Sequence, residues 1–172
     1  MIEDIIIGDI TSPQNRRDII IGMNTDLNDV TGIGLRFVKN LIPLKALEPG
    51  SVLTSDFDDQ RKIHMLICHR LGPAYWYNAD QHVRFGMDYL HYTNNSGRKY
   101  SIVQIGTGRI GQRDKADHAA IRKAMEESYL PVNLHILDIR SAEAISYANR
   151  APLVATAAWN HRHGPIPLQL AA

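Results

Sequence analysis

The stretch Tyr100-Ser-Ile-Val-Gln-Ile105, followed by Gly106-Thr-Gly-Arg-Ile-Gly111, decides how this chain folds. The first six residues are typical of a buried β-strand, and the glycine loop leads into a helix predicted from about Asp114 to Ser128. Such a loop places backbone N–H groups and the positive end of a helix dipole where a phosphate can bind. Its spacing matches neither a Walker loop nor the full dinucleotide fingerprint. A glycine turn between strand and helix is also an ordinary αβ connection, so both interpretations stay open.

The composition of the 172 residues favours a single domain with a hydrophobic core. Lys and Arg number 19 against 18 Asp and Glu, which argues against broad nucleic-acid binding. Cys68 is the only cysteine, so an internal disulfide framework is excluded and a reducing, cytoplasmic location is expected. No apolar stretch reaches the roughly 18–20 residues of a membrane helix, and no signal-peptide pattern begins the sequence. We therefore expect no membrane partner.

Strands that alternate with helices predict an α/β protein. The predicted strands are Ile2–Ile10, Asp18–Met23, Ser51–Phe57, Lys62–His69, Tyr100–Ile105 and Pro131–Ile139. The predicted helices are Leu35–Leu41, a long helix from Asn78 or Asp80 to about Thr93, Asp114–Ser128 and Ala142–Arg150. Ile5-Ile-Ile7 and Ile19-Ile-Ile21 are continuous β-branched runs, which favour strands covered on both faces. The hairpin Ser51–His69 makes the sheet mixed, and the expected fold is a three-layer α/β/α sandwich.

The domain division follows from the same pattern. Residues 1–140 are expected to form the main domain, and residues 141–172 a C-terminal helix and extension packed on it, with a strand at Leu153–Ala157. The helical periodicity predicts two groups of core-facing residues. These are Val83, Met87 and Leu90 in the long helix and Ala119, Ile121 and Met125 in the helix after the glycine loop.

Three pieces of the chain, in this order, resemble the macro domain, the ADP-ribose-binding module. Gly8-Asp-Ile-Thr11 ends the first strand, the second strand leads through Asn24 to Gly32-Ile-Gly34, and Gly106-Thr-Gly-Arg-Ile-Gly111 comes late in the chain. The resemblance spans roughly residues 1–139. It is greatest to the short branch that contains the terminal ADP-ribose protein glycohydrolase and the ADP-ribose-1''-phosphatases.

The resemblance implies a cleft that binds ADP-ribose or a related nucleotide diphosphate between two glycine loops. Asp9 corresponds to the acid that accepts the adenine exocyclic amine, Ile10 lends its backbone N–H to the same ring, and Asn24 is placed to reach the distal ribose. The two loops consist of Val30, Thr31, Gly32, Ile33 and Gly34, and of Ile105, Gly106, Thr107, Gly108, Arg109 and Ile110. Backbone loops of this kind bind a diphosphate without many cationic side chains, in agreement with the near-neutral composition.

Without the resemblance, ordinary structural roles account for the same residues. Asp9 is typical of a turn residue that caps Thr11 and Ser12, and Asn24 of a turn residue that tolerates a left-handed backbone. Tyr75-Trp-Tyr77 either stacks on an adenine or, the interpretation we favour, anchors a loop against the sheet.

Departures from the family pattern fall on the catalytic positions. The asparagine-rich run of catalytic macro hydrolases corresponds here to Ile21-Gly-Met-Asn24, which lacks the first asparagine. His69 and Ile110 stand where the glycohydrolase branch uses a lysine and an aspartate. A histidine can act as a base or nucleophile, whereas an isoleucine cannot replace a carboxylate. Val30 and Thr31 also stand in the first loop where small residues are usual, and their β-branched side chains narrow the approach to the phosphate. We therefore expect binding with weak or no hydrolysis.

Two alternatives stay open at the level of function. A hydrolase would remove ADP-ribose from an ADP-ribosylated protein, or phosphate from ADP-ribose-1''-phosphate, with His69 as the candidate catalytic group. A non-enzymatic scaffold would keep the fold without a working pocket. No cofactor is expected, and the oligomeric state is open. No metal is expected either, since His161-Arg-His163 resembles a metal-ligand pair in spacing only. Cys68 is predicted to be a buried apolar residue without a catalytic His69 partner, because strand neighbours point apart.

Overall fold

A mixed six-stranded sheet with two helices forms the described part of the protein. The computed structural model describes residues 1–25, 48–70, 76–106 and 114–136. In chain order its elements are β1 (Ile2–Ile7), β2 (Asp18–Asn24), β3 (Val52–Asp56), β4 (Lys62–His69), α1 (Ala79–Thr93), β5 (Tyr100–Val103), α2 (His118–Glu127) and β6 (Val132–Ile136).

The strand order across the sheet is β1-β6-β5-β2-β4-β3. Every neighbouring pair is parallel except β3 and β4, which form the predicted antiparallel hairpin. The hairpin turn is closed by Asp58, whose Oδ1 accepts hydrogen bonds from the backbone N–H groups of Gln60 and Arg61 at 2.9 and 2.7 Å. The predicted fold class, α/β with a mixed central sheet, is confirmed.

The central strands are buried on both faces of the sheet. Ile19, Ile20 and Ile21 of β2 are at most 4% exposed, and the run Ile63–Cys68 of β4 is equally enclosed. Successive strand residues point to opposite faces, so continuous burial means that both faces are covered, as in a three-layer sandwich. Each fully buried aliphatic side chain contributes about 1.5–3 kcal/mol to stability.

The prediction that the first strand is covered on both faces is wrong. β1 ends at Ile7, three residues before the predicted end, and Ile5 and Ile7 are 45% and 57% exposed. The reason is its position, since among the described strands β1 lies at the edge of the sheet and pairs only with β6. The isoleucine run reflects the preference of β-branched residues for extended backbone, which an edge strand satisfies without burial. Ile10 is buried, but in the turn after the strand.

The helix α1 agrees with its prediction in bounds and in face. Asn78 is its N-cap residue, although the Asn78 side chain makes no capping hydrogen bond, and the helix ends at Thr93. Val83, Met87 and Leu90 are all buried. Contacts of α1 with β4 and with α2 place both helices in one layer on the same face of the sheet.

The helix α2 begins at His118, four residues later than predicted. Lys115 has a left-handed backbone with φ of 57°, which a helix interior does not accommodate. Asp117 instead caps the helix, its Oδ1 accepting from the Ala120 N–H at 3.0 Å. Ile121 and Met125 face the core as predicted, but Ala119 is exposed. Its spacing from Ile121 places Ala119 on the opposite side of the helix.

Several predicted elements lie outside the described residues. These are the helices Leu35–Leu41 and Ala142–Arg150, the strand Leu153–Ala157 and the boundary between residues 140 and 141. Neither helix in the described part of the chain has the length and apolar character needed to cross a bilayer.

A buried ionic cluster at the amino end of the parallel strands joins β2, β4 and the segment before β5. Asp18 is 3% exposed and accepts hydrogen bonds from Arg98 Nε at 2.5 Å, Arg98 Nη2 at 2.7 Å and the Lys62 backbone N–H at 2.9 Å. His64 Nε2 lies 3.0 Å from Asp18 Oδ2, and His64 Nδ1 lies 2.9 Å from Thr54 Oγ1. Burial alone would raise the pKa of Asp18, but the hydrogen bonds from His64 and Arg98 outweigh it and hold the pKa well below its usual range.

Replacing Asp18 by Asn is expected to lower the free energy of unfolding by about 3 kcal/mol, because the Arg98 guanidinium loses the buried carboxylate that compensates its charge. Urea unfolding at neutral pH measures the change. Asp56→Asn is the matched control in the same sheet, since the exposed ion pair of Asp56 with Lys62 contributes roughly 0.5 kcal/mol or less. Equal losses in the two variants would contradict a structural role for the cluster.

His135 of β6 predicts a second, pH-dependent effect. Burial lowers the pKa of His135 to about 4, because it outweighs the hydrogen bond with the Gly8 backbone, which raises the pKa. The unfolded chain therefore binds the extra proton first, and stability falls as the pH drops from about 6.5 towards 4. We expect a loss of about 2 kcal/mol between pH 7 and pH 5, measured by urea unfolding. Glutamine cannot titrate, so between pH 7 and pH 5 the stability of His135→Gln should fall by about 2 kcal/mol less than that of the wild type. Identical pH profiles of stability for the two proteins would contradict the role of His135.

Candidate functional site

Four of the predicted site positions lie at one edge of the sheet. Asp9 follows β1, Asn24 ends β2, His69 ends β4 and Gly106 follows β5, and these strands all run in the same direction. Their carboxyl ends therefore meet at the same edge. Asn24 and His69 are direct neighbours in the pairing of β2 with β4.

The connections reverse their direction at the centre of this edge. After β2 the chain continues to β3 and β4 on one side, and after β5 it continues to β6 on the other side. The adjacent strands β2 and β5 therefore flank the topological switch point, where α/β sheets characteristically open a crevice for a ligand. Each of the two predicted glycine loops follows one of these strands.

The Asp9 side chain stabilises the turn in which it lies. The side chain is 5% exposed, and its Oδ1 accepts hydrogen bonds from Thr11 N–H and Thr11 Oγ1, both at 2.8 Å. The predicted turn role of Asp9 is thus confirmed for Thr11. Its neighbour Ile10 is buried, and the Ile10 carbonyl accepts from Asn15 Nδ2 at 2.8 Å.

Arg61 braces the segment after Asp9, a role that the sequence analysis missed. Its Nη1 donates to the backbone carbonyls of Ser12 at 3.0 Å and Asn15 at 2.8 Å, and its Nε donates to Asp58 Oδ2 at 2.9 Å. Arg61 is 7% exposed. An arginine between a polar turn and an apolar strand is typical of the surface, so the sequence carried no signal for this brace.

His69 is buried and fixed. The ring stacks on Trp76 with centroids 3.7 Å apart and planes at 24°, and Nδ1 donates to the Arg70 carbonyl at 2.6 Å. Because that carbonyl can only accept, Nδ1 carries a proton and the lone pair of the neutral ring is on Nε2. Trp76 is 6% exposed, which agrees with the interpretation that the aromatic cluster anchors a loop, whereas Tyr77 is 86% exposed.

Cys68 belongs to the core and not to the site. It is fully buried, and burial raises the pKa of the Cys68 thiol to about 12, so the reactive thiolate is not formed at neutral pH. The predicted role of a buried apolar residue is confirmed.

Gly106 turns the chain at the end of the β5 segment. Its φ is +91°, and a Cβ added there would lie 3.1 Å from Ala116 Cβ and 3.2 Å from Ile121 Cδ1. His118 Nε2 donates to the Gly106 carbonyl at 2.6 Å, which ties the first glycine of the second loop to the start of α2. The glycine turn could be predicted from the sequence, whereas the His118 contact could not.

Ile105 packs against Gly22 of β2. A Cβ added to Gly22 would lie 2.7 Å from Ile105 Cγ2 and 3.3 Å from Cys68 Sγ. Only glycine therefore fits at this position of Ile21-Gly-Met-Asn24 without a shift of the neighbouring side chains. The missing side chain at Gly22 thus makes room for Ile105, which precedes the second loop.

The remaining predicted site residues lie outside the described residues. They are Val30, Thr31, Gly32, Ile33 and Gly34 of the first loop, and Thr107, Gly108, Arg109 and Ile110 of the second. The pair His161 and His163 lies outside as well. Within the four described ranges, no three potential metal-ligating side chains lie together.

Two cavities border the described part of the site. One, of about 660 Å³, lies beside β1 and β6 and is lined by Asp9, Asn15, Arg17 and His135 among others. The other, of about 650 Å³, lies between the amino ends of α1 and α2 and includes Trp76. Both volumes fall in the range of small-molecule sites.

Comparison with known proteins found likeness in structure only. No protein-family model matches the chain, and no match was found among curated proteins. A crystal structure of a Bacteroides thetaiotaomicron protein aligns with a TM-score of 0.51 and 16% identity, over 78% of this chain and 99% of its own. A protein of unknown function from the same organism aligns with a TM-score of 0.48 and 15% identity, over 76% of this chain and 96% of its own. A macrodomain protein from Streptomyces coelicolor aligns with a TM-score of 0.47 and 10% identity, over 77% of this chain and 97% of its own. The alignment at 0.51 concerns the fold alone.

Gly106→Ala is expected to destabilise the protein by more than Gly97→Ala. Both glycines have positive φ, which costs an alanine about 1–2 kcal/mol, but only Gly106 is also crowded by neighbouring side chains. Thermal or urea unfolding of the two variants measures the difference. An equal loss would mean that the side chains at the start of α2 do not constrain the turn.

Proposed function

We propose that this protein binds ADP-ribose or a related nucleotide diphosphate at the carboxyl edge of its parallel strands, between two glycine loops, with weak or no hydrolysis. The observation that carries the proposal is the switch point between β2 and β5. The chain leaves these two strands in opposite directions, and the segments that begin there are the two glycine loops of the sequence.

The environment of Asp9 supports a role at the base end of the ligand. Its hydrogen bonds to Thr11 fix the carboxylate at the end of β1, beside the 660 Å³ cavity. A carboxylate accepts hydrogen bonds only, so it pairs with the exocyclic amine of an adenine and not with a carbonyl. The brace from Arg61 holds the following segment, which lowers the entropy cost of ordering the site on binding.

The geometry of Gly106 supports a role for the second loop in holding phosphate. The left-handed turn at Gly106 begins the loop, and the amino end of α2 lies beside it through the His118 contact. Backbone N–H groups and the positive end of a helix dipole bind a diphosphate without a net positive surface. This agrees with the balanced numbers of acidic and basic residues.

The state of His69 favours binding over hydrolysis. The ring is 4% exposed, stacked on Trp76 and tied through Nδ1 to the Arg70 carbonyl. A catalytic base needs a nitrogen within hydrogen-bond reach of the attacking water or hydroxyl, and a ring enclosed in this way presents little surface to a substrate. Hydrolysis of an ADP-ribosylated protein or of ADP-ribose-1''-phosphate is therefore the secondary proposal, with His69 as its catalytic group.

Thermal unfolding with and without ADP-ribose tests the proposal, with AMP as the ligand control. At about 100 times the dissociation constant, a ligand of the native state adds roughly 2.7 kcal/mol of stability. For a domain of this size the expected rise of the midpoint is about 5–10 °C. AMP should produce a clearly smaller rise, because it lacks the diphosphate and the distal ribose.

Asp9→Asn sharpens the same experiment. The amide keeps an oxygen for Thr11 and nearly the same volume, so the fold should survive, while ADP-ribose affinity should fall about tenfold with the lost charge-assisted hydrogen bond. Asp59→Asn, in the exposed β3–β4 turn, is the matched control and should bind normally. Absence of any shift with wild-type protein at millimolar ADP-ribose would sink the proposal.

A scaffold without a working pocket is the alternative that such a result would favour. One observation supports it independently: α1 exposes Phe85, Tyr89 and Tyr92 at helical spacing, with exposed fractions of 62%, 50% and 72%. An aromatic stripe of this kind is typical of a surface that contacts another protein.

A further inference from the structure

The outward face of α1 carries no carboxylate, lysine or arginine. The exposed positions of the helix are Gln81, Phe85, Tyr89, His91, Tyr92 and Thr93. Its arginine and one of its aspartates turn towards α2 instead, where Arg84 pairs with Glu127 and Asp88 accepts from Ser128 Oγ. A helix face in contact with water usually carries charged residues. An exposed face without them favours contact with another protein surface.

Tyr129, which follows α2, extends this face. The aromatic patch is defined by Phe85, Tyr89, Tyr92 and Tyr129. The first three are neighbours on the surface of α1, because they are spaced by four and three residues. The ring centroids of Tyr92 and Tyr129 lie 6.5 Å apart, and the His91 centroid lies 5.4 Å from Tyr92 and 6.3 Å from Tyr129. The patch is therefore one continuous surface built on two helices that pack together.

The area of the aromatic patch matches what one side of a stable dimer needs. Its four side chains are between 50% and 72% exposed. An aromatic side chain has about 150–250 Å² of surface, so together they present roughly 500 Å². Each partner of a standard interface contributes about 800 Å², of which roughly 60% is apolar. The patch thus supplies the apolar core of one such surface.

The charged residues beside the patch favour a second copy of this chain as the partner. Arg84 is followed by Asp88 along α1, and Lys123 by Glu127 along α2, so both signs occur on this flank in equal number. A two-fold axis across α1 sets the amino half of one helix against the carboxyl half of its mate, which lets opposite charges face each other. A strongly acidic or basic partner would gain no such complementarity.

We propose that the aromatic patch binds the same patch of a second copy of this chain, in a two-fold symmetric dimer with the two α1 helices antiparallel. Aromatic rings from both copies then pack in offset or edge-to-face arrangements, and the charged flanks form the rim. The inference goes beyond the proposed nucleotide binding and does not depend on it, since no residue of the patch is among the predicted site residues.

Sedimentation equilibrium of the full chain, from about 1 to 100 μM, tests the proposal. We expect the mass of a dimer, with a dissociation constant in the micromolar range or below. Tyr89→Asp places an unpaired charge in the centre of the interface and should weaken association at least a hundredfold. Tyr77→Asp is the matched control, because Tyr77 is exposed but lies outside the patch, and it should associate as the wild type does.

Two results of this experiment overturn the proposal. One is a wild-type protein that stays monomeric at about 100 μM. The other is a dimer that Tyr89→Asp leaves intact. If residues of the same chain cover the patch, the wild type is monomeric and Tyr89→Asp lowers the free energy of unfolding, which overturns the proposal as well.

Cysteine cross-linking locates the interface independently. Cys68 is the only cysteine and is fully buried, so a cysteine introduced at the surface is the one that reacts. With a short bismaleimide, Tyr89→Cys should give covalent dimers at micromolar protein. Asp59→Cys, in the exposed β3–β4 turn, should stay a single chain. Equal yields of covalent dimer from the two variants overturn the proposal.

Discussion

The pairing of β2 with β4 on one side and β5 on the other is the constraint on which the rest of the structure depends. Ile19–Ile21 and Ile63–Cys68 are enclosed on both faces, so β2 has to lie inside the sheet between two parallel neighbours. β4 and β3 lie on one side of β2, and β5 and β6 lie on the other side, so the chain leaves β2 and β5 in opposite directions. This reversal creates the switch point, and it brings the ends of β2 and β5 together.

The continuous apolar runs predicted the central strands because burial on both faces leaves no room for alternation. The core face of α1 was predicted from a different signal, the helical spacing of its apolar residues. The pattern of continuous apolar residues gave a wrong prediction for β1, since an edge strand can carry the isoleucine run of a central one. The predicted start of α2 was wrong because Asp114 and Asp117 are both suitable N-cap residues. The left-handed backbone of Lys115 excludes Asp114 as the cap, and no local sequence pattern specifies that backbone.

The site was predictable to the extent that it follows from chain order. Residues that end parallel strands share an edge, so Asp9, Asn24, His69 and Gly106 could be placed together from the sequence. The contacts between distant segments could not. Arg61 reaches the carbonyls of Ser12 and Asn15, 49 and 46 positions away along the chain, and nothing in its neighbourhood indicates that partner. The stacking of His69 on Trp76, seven positions later, also results from packing that no sequence pattern specifies.

The ionic cluster of Asp18 and the candidate site occupy opposite ends of the same strands. His64 belongs to the first and His69 to the second, and five residues of extended chain separate them by about 17 Å. At such a separation the energetic effects of substitutions are nearly additive. Mutational drift in the loops of the carboxyl edge can therefore proceed without eroding the anchor at the amino edge. The architecture thus leaves room for ligand preference to diverge among descendants that keep one common framework.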